Sequence, residues 1–535
     1  MDSKSIPCST PNGIILAAGF GMRMVPINTM YTKGMLEVKG EPLVERLVCQ
    51  MRDAGISDIT IVVGFMKEAY EYLIDKYGVR LIVNPSYTDK NNIYSLYLAR
   101  KALNKTYITP CDVWCRENPF ISSDENSWYM ISDQVVDESI FTLNNKREIT
   151  VSSLRKAGNG MIGIAHLDPH DSELLCKNME KLLFTEEGNS LFWEDALIDG
   201  CCFALPPRIV SADDAFEINT YEQLRSLDLN STHLKSDAIE VIAKELNVEE
   251  TEITNISVLK KGMTNRSFMF TVHGSKYIMR IPGEGTDQLI NRKQEADVFA
   301  AISGLGLCDD PVYLNPNNGY KITKYLEGVR CCDPEDVSDL KRCMKKLRDF
   351  HKLDLKVDHT FDIFGQIDFY ESLCGGSPSA YKDYVQTKEN VMSLRLFLDS
   401  LDKDWCLTHI DAVPDNFLFY TVNNDPEEQL QLTDWEYSGM QDPHVDIAMF
   451  CIYSLYGKQE CDHLIDLYFE GRCSEETRAK IYCYIAMCGL LWSNWCEYKQ
   501  MLGVEFGEYS LRQYRYAKEY FRYAKELIGG KYGIE

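Results

Sequence analysis

Gly13 to Met24 reads GIILAAGFGMRM, a short apolar run that breaks into a glycine-rich turn. The reading of the first third of the chain hangs on it. Downstream, Pro42 to Ala54 has helical spacing, Ile59 to Val63 is continuous and β-branched, Glu68 to Tyr77 is amphipathic, and Leu81 to Val83 is apolar again. This is β-α-β-α-β. Strands that are apolar throughout, rather than alternating, predict a parallel sheet covered on both faces: a doubly wound α/β domain with its ligands at the strand C-termini. The turn itself lets backbone N–H groups approach a phosphate chain at Ala17, Ala18, Gly19 and Gly21, and Arg23 adds a cationic fork. Alone, an ordinary strand-to-helix turn reads the same way.

The 535 residues predict three or four domain-sized units, with 45% hydrophobic and 26% charged residues, ordinary for a globular chain. Lys plus Arg is 56 and Asp plus Glu is 81, a net charge of −25 that repels nucleic acid and anionic lipid. A phosphate-bearing substrate must then be held by a few local cations and bound metal. The 19 cysteines include Cys201–Cys202 and Cys331–Cys332, which suit reduced thiols. Met1 to Pro11 is polar, and no apolar stretch approaches the ~20 residues of a membrane span. A cytoplasmic protein without membrane insertion is expected.

The α/β rhythm fades near residue 225. The expected organisation is a tail over 1–12, a first domain over 13–228, a linker over 229–237, and a second domain over 238–535. The second domain divides into a small lobe of antiparallel strands to about 330 and a helical lobe beyond. There LTHIDAVPDNFLF (407–419) and LTDWEYSG (432–439) place an HxD, an asparagine five residues after the aspartate, and an Asp-aromatic-Glu behind a strand. That arrangement is the catalytic loop of kinase-like phosphotransferases. Asp411 orients or deprotonates an acceptor hydroxyl, Asn416 and Asp434 hold magnesium, and His409 buttresses the loop. KKGMTNRSF (260–268) forms a turn able to cover nucleotide phosphates, with Thr264 and Asn265 in it.

The first block, with Lys33 in YTKGML, GEPLVERL at 40–47 and AGISDITIVVGF at 54–65, resembles the sugar-1-phosphate nucleotidyltransferase superfamily. NNIYSLYLA at 91–99 and LFWED at 191–195 look most like CTP:phosphocholine cytidylyltransferases. The resemblance spans about 12–228. It implies attack by the phosphocholine phosphate on the α-phosphorus of CTP, with Arg23 and Lys33 on the triphosphate and Asp112 and Glu217 on magnesium. Where relatives show Glu-Ile-Asp, this chain has Glu217, Ile218 and Asn219, which puts its metal affinity or substrate choice in question. Trp128, Tyr129, Phe192 and Trp193 fall where the family keeps its trimethylammonium pocket, with Glu194 as a companion carboxylate. Each ring also suits a core position.

The second block resembles choline and ethanolamine kinases over about 240–528. They carry an arginine where many kinases carry lysine, here Arg280 in YIMRIP, paired with Glu295 in NRKQEAD. DWEYSGMQDPHVDIA (434–448) resembles the bacterial choline kinase signature, with Asp446 as a structural acid and Glu436 beside the substrate. Trp492 and Trp495, three apart on a helix, can wall a cation or pack in a core. Together the resemblances imply a bifunctional choline kinase and CTP:phosphocholine cytidylyltransferase. ATP and CTP are its nucleotide substrates, magnesium serves both sites, choline and phosphocholine are its small-molecule partners, and a homo-oligomer stays open. Rival readings are the same chemistry on ethanolamine or another amino alcohol or amide, a silent nucleotidyltransferase-fold regulatory module beside an active kinase, and an aminoglycoside phosphotransferase.

Overall fold

A computed structural model of the chain describes residues 10–28, 30–143, 149–185, 187–197, 205–259, 265–283, 290–308, 310–402, 404–421 and 428–529. The chain divides into two compact units: Met1–Lys260 with Phe268–Gly274, and Lys261–Ser267 with Ser275–Glu535.

The first unit is built on a seven-stranded sheet. In chain order its elements are β1 (Asn12–Ala17), α1 (Leu43–Asp53), β2 (Ile59–Val63), α2 (Tyr72–Tyr77), β3 (Arg80–Val83), α3 (Asn92–Leu98), β4 (Thr106–Pro110), β5 (Val113–Cys115), β6 (Trp128–Leu143), β7 (Ile149–Leu167), α4 (Pro169–Leu182), β8 (Pro207–Val210), β9 (Ala215–Glu217) and α5 (Tyr221–Leu227). The sheet order is β8-β6-β7-β4-β1-β2-β3. β4, β1, β2 and β3 run parallel, Ile15 lying against Ile61 and Thr109.

Both faces are covered, as continuous apolar strands require. Ile15 and Ile61 enter one core with Val44, Leu47 and Met51 of α1. Ile14, Leu16 and Val62 enter a second with Leu96 of α3 and Leu175 of α4. The sequence reading missed the antiparallel half, where β6 and β7 form a long hairpin whose register shifts four times. Each shift resets the two-residue alternation that would have revealed a strand.

The polar stretch expected as a linker is packed. Ser231 Oγ donates to the Glu37 carbonyl at 2.8 Å, the Glu37 amide to His233 Nδ1 at 3.0 Å, and the Tyr221 hydroxyl to the Leu234 carbonyl at 2.9 Å. Beyond it lie α6 (Asp237–Leu246), β10 (Thr254–Val258) and β11 (Asn265–Val272). α5 grips the start of β10: Glu222 accepts the amides of Asn255 at 2.6 Å and Ile256 at 3.2 Å, while Arg225 donates to the Glu250 and Ile253 carbonyls, both at 2.8 Å.

The second unit carries β12 (Ser275–Pro282), α7 (Arg292–Ile302), β13 (Tyr313–Leu314) and β14 (Lys321–Lys324), with β14 antiparallel to β12 and β13. It continues with α8 (Val337–His351), α9 (Ile363–Leu373), β15 (Cys406–Thr408), β16 (Phe417–Tyr420), β17 (Gln429–Leu432), β18 (Gly439–Gln441), α10 (His444–Tyr453), α11 (Lys458–Phe469), α12 (Glu475–Met501) and α13 (Glu508–Ile528). Ser474 caps α12 by accepting the Thr477 amide. From Ile481 to Leu491 every residue of α12 is buried, so it is apolar on all sides and runs through the middle of the helical core. Among the described residues no helix is long and apolar enough to cross a membrane.

Candidate functional sites

At the C-terminal end of β1 a cavity of about 530 Å³ opens between the glycine turn, the 87–92 segment and Phe192. Ala18, Gly19, Gly21, Arg23 and Lys33 all line it, and Ala17 is buried at the strand end beneath. Gly21 adopts φ +66°, and a Cβ there would meet Lys33 Cγ at 3.0 Å. A side chain larger than glycine would therefore strain the backbone and crowd the lysine.

The cavity floor is one polar cluster. Lys33 Nζ donates to Asp112 Oδ2 at 2.6 Å and to Asn219 Oδ1 at 2.7 Å, and Asn219 Nδ2 donates to Glu217 Oε2 at 2.7 Å. Asp112 sits in the tight turn from β4 to β5, and Glu217 ends β9, paired across to Val113. Burial would pull the Lys33 ammonium down, but Asp112 and Glu217 outweigh it and hold its pKa above the ordinary value. Burial, then Asp112, pushes the Glu217 carboxyl up to about 7 against the pull of Lys33.

The expected ring cage is mostly elsewhere. Trp128 packs in the sheet core with Arg208 stacked 3.7 Å from its ring, its Nε1 donating to Asp124. Trp193 is 1% exposed and lies against Tyr129 in the opposite core. Both readings as pocket walls are corrected: the rings carry the sheet's two faces. Phe192 does reach the cavity wall, joined by Tyr87, which the sequence reading passed over. Glu194 is buried behind them; Tyr129 donates to its Oε1 at 3.2 Å, and burial pushes its pKa to about 8.

In the second unit, Arg280 on β12 clasps Glu295 on α7 through two bonds of 2.6 and 2.8 Å. The pair is buried rather than superficial and belongs to a network: Arg292 Nη1 lies 3.2 Å from Glu295 and 3.3 Å from Glu436, Arg280 lies 3.6 Å from Glu436, and Lys321 lies 3.6 Å from Glu295. Burial alone would raise the Glu295 pKa, but the charge of Lys321, the hydrogen bonds and charge of Arg280 and the charge of Arg292 hold it down to about 2. Glu436, expected beside the substrate, is thereby engaged with Arg280 and Arg292. Thr264 lies outside the described residues, as does the side chain of Asn265.

The residues expected to form a catalytic loop do converge. Asn416 Nδ2 donates to the Asp411 carbonyl at 2.8 Å and to its Oδ2 at 3.1 Å. The Thr433 amide donates to the Asn416 carbonyl at 2.9 Å, which brings Asp434, at φ +65°, alongside. Burial, then the charges of Asp434 and Glu436, pushes the Asp411 pKa up to about 8. His409 is wholly buried, its Nε2 against the Thr433 carbonyl at 2.9 Å, and burial lowers its pKa to about 4. It is neutral and structural.

Tyr370, Tyr437, Tyr453 and Tyr509 have phenol pKa values raised by burial, with a further push from the Asp411 carboxylate in each case. Trp492 stands edge-on to Tyr437 at 6.4 Å and is half-buried. Trp495 is 4% exposed and packed on Phe506, a core position that corrects its reading as a pocket wall. The tyrosines were missed because they come from four separate segments. A further cleft of about 210 Å³ is lined by Ile278, Phe299, Leu326, Val329 and Leu418, with Lys321 and Thr433.

Each donor set consists of oxygens: Asp112, Glu217 and the Asn219 amide in one unit, Asp434 and the Asn416 amide beside Asp411 in the other. Among the described residues no three acidic, histidine or cysteine side chains form a ready-made cation site. Two acids and an amide suit magnesium, which keeps several waters and takes other ligands from substrate phosphates.

Two family models match separate parts of the chain. The MobA-like NTP transferase domain model matches residues 13–123, and the choline/ethanolamine kinase model matches 256–470. A choline-phosphate cytidylyltransferase of Streptococcus pneumoniae is 30% identical over 221 residues, covering 40% of this chain and 96% of that protein. A 2-aminoethylphosphonate cytidylyltransferase of Lancefieldella rimae is 30% identical over 234 residues, 42% of this chain and 94% of the relative. Protein LicA of Haemophilus influenzae is 27% identical over 268 residues, 47% of this chain and 96% of its own. The chain therefore belongs, through its first part, to the cytidylyltransferases of which these relatives are members, and its second part carries a domain that matches the choline/ethanolamine kinase model.

Proposed function

We propose that the chain makes CDP-choline in two steps: choline with ATP gives phosphocholine and ADP at the second site, and phosphocholine with CTP gives CDP-choline and pyrophosphate at the first. The observation that carries the reading is Asp411 held by Asn416 at 2.8 and 3.1 Å, with half-buried Trp492 edge-on to Tyr437, three residues after Asp434; a quaternary ammonium offers no hydrogen bonds and binds through aromatic faces and carboxylates. The relatives' substrates are consecutive, which supports a shared route.

In the kinase step the choline oxygen attacks the γ-phosphorus, its proton passes to Asp411, and ADP leaves in line. The nearby substrate cation favours the ionised carboxylate that this role needs. Arg280, fixed by Glu295, faces the phosphates, and Asn416 and Asp434 hold magnesium. In the cytidylyl step a phosphocholine oxygen attacks the α-phosphorus of CTP, pyrophosphate leaves, and Arg23 and Lys33 carry the triphosphate, with magnesium on Asp112, Glu217 and Asn219. When bound, the metal neutralises phosphate charge as it shifts to the leaving group. We assign residues 13–228 to cytidylyl transfer and 238–535 to phosphorylation, and place the enzyme in the cytoplasm.

The test is incubation with choline, ATP, CTP and magnesium, following CDP-choline by mass; no product overturns the reading. A second reading, a primary ammonium substrate such as ethanolamine or 2-aminoethylphosphonate, draws on the thinner cage of the first cavity, where Phe192 and Tyr87 stand without Trp128 or Trp193. A kinase rate higher with ethanolamine than with choline would select it.

A further inference from the structure

Behind the catalytic loop lies a second cavity, of about 650 Å³, between the C-terminal end of α8, residues 404–406, Pro443–His444 and the end of α11. Neither proposed reaction uses it. Its walls carry Arg348, Lys352 and Lys356 against Asp354, Asp404 and Glu470, charges that sum to zero. Two pairs are closed, Arg348 to Glu470 and Lys356 to Asp354, each at 2.7 Å. Among the described residues Lys352 and Asp404 have no such partner. One open cation and one open carboxylate, with the Trp405 ring beside them, match a zwitterion. Its phosphate would take Lys352, and its ammonium Asp404.

The cavity wall is wired to the chemistry. Tyr468 lines it, and its hydroxyl meets His351 Nδ1 at 2.8 Å; His351 Nε2 meets Asp446 Oδ2 at 2.9 Å. Asp446 in turn accepts the amide of His409 at 3.0 Å and that of Ile410 at 2.7 Å. Ile410 stands at φ +71°, directly before Asp411, a conformation that a β-branched residue adopts only under restraint. A shift at Tyr468 thus reaches the acceptor-activating aspartate through two side chains.

We propose that this cavity binds a phosphoalkylammonium zwitterion, the class of phosphocholine, and that its occupation lowers phosphotransfer through His351 and Asp446. The proposal rests on the reading above, since it makes the kinase product its own regulator.

The experiment measures kinase initial rates at saturating choline and ATP against added phosphocholine. The expected result is a fall in kcat of about fivefold that more choline does not relieve. Lys352→Glu removes the fall and leaves the basal rate unchanged; Asp404→Asn weakens it. Inhibition relieved by choline, or undiminished in Lys352→Glu, overturns the proposal. Glycerophosphocholine separates the sources: a response equal to that of phosphocholine assigns the cavity to a headgroup diester of the same class, and no response to it assigns the free monoester. A second readout needs no turnover: phosphocholine slows amide hydrogen exchange over 465–470 in the native chain and not in Lys352→Glu. Equal exchange in both overturns the cavity assignment. A chain without choline kinase activity but with this protection loses the functional reading alone.

Discussion

The Ile410 amide donates to Asp446 Oδ1 at 2.7 Å, across 36 residues of sequence, and this bond holds the backbone that aims Asp411. Asp446 is wholly buried and accepts from two amides and a histidine. Asp446→Ala leaves those donors without an acceptor, at a cost of about 1–3 kcal/mol each. Kinase kcat should fall about 10²-fold, the scale of a misplaced reacting group, while cytidylyl transfer persists. Asp446→Asn, which keeps one acceptor oxygen, should lie between. Paired assays on each variant check the order.

Asp411→Ala should cut kinase turnover by about 10²–10⁴-fold, the contribution of a positioned base, and leave CTP-dependent pyrophosphate release intact. Asp112→Ala should do the converse. Loss of both activities from either change would contradict independent sites.

Asn219→Asp replaces an amide that donates to Glu217 at 2.7 Å with a third carboxylate facing Asp112 and Glu217. The magnesium concentration for half-maximal pyrophosphate release should drop about tenfold, because a carboxylate ligand holds magnesium better than the amide it replaces. Thermal stability without magnesium should drop as well, because the acids then repel. Titration with magnesium and a melting curve in chelator report the two effects.

The two tryptophans of α12 should part ways. Trp492→Ala, beside Tyr437, should raise the KM for choline more than that for ATP. Trp495→Ala, in the core, should lower stability by about 3–5 kcal/mol, visible in chemical denaturation, with KM little changed in whatever folds.

Acid should find Asp442. It is buried, which alone would raise its pKa, but His444 and Lys480, the latter at 2.7 Å, hold it well below the ordinary carboxylate range. A depressed folded pKa adds stability that is full above the unfolded value of about 4 and fades as pH falls below it. Asp442→Asn should therefore melt well below the native chain at pH 7, and the gap should narrow progressively below about pH 4. A gap constant with pH would refute the assignment.

The parallel core was readable because Ile14 to Ala17 and Ile59 to Val63 are apolar without alternation, and both faces are indeed covered. The meeting of Asp411 with Asn416 was readable because the two lie five residues apart, and Asp434 follows the strand that pairs back onto the segment after Asn416. The Arg280–Glu295 pair was likewise anticipated across 15 residues, but its burial was not, since Arg292, Lys321 and Glu436 join it from other elements. Rings were the weak point. Trp128 and Phe192 look alike in sequence, yet one opens β6 and packs under the sheet while the other sits in a loop and faces the cavity, a choice made by backbone position rather than by residue type. The rear cavity was invisible, being assembled from four distant segments.

The grip of α5 on residues 250–256 bears on how the enzyme can be dissected. A cut placed at 229–230 to express the halves apart would strip Ser231, His233 and Leu234 from Glu37 and Tyr221 in one fragment, and deprive Asn255 and Ile256 of Glu222 in the other. Each piece would carry raw hydrogen-bonding edges and a tendency to precipitate, so single-activity preparations are better made by point inactivation of the intact polypeptide than by scissors.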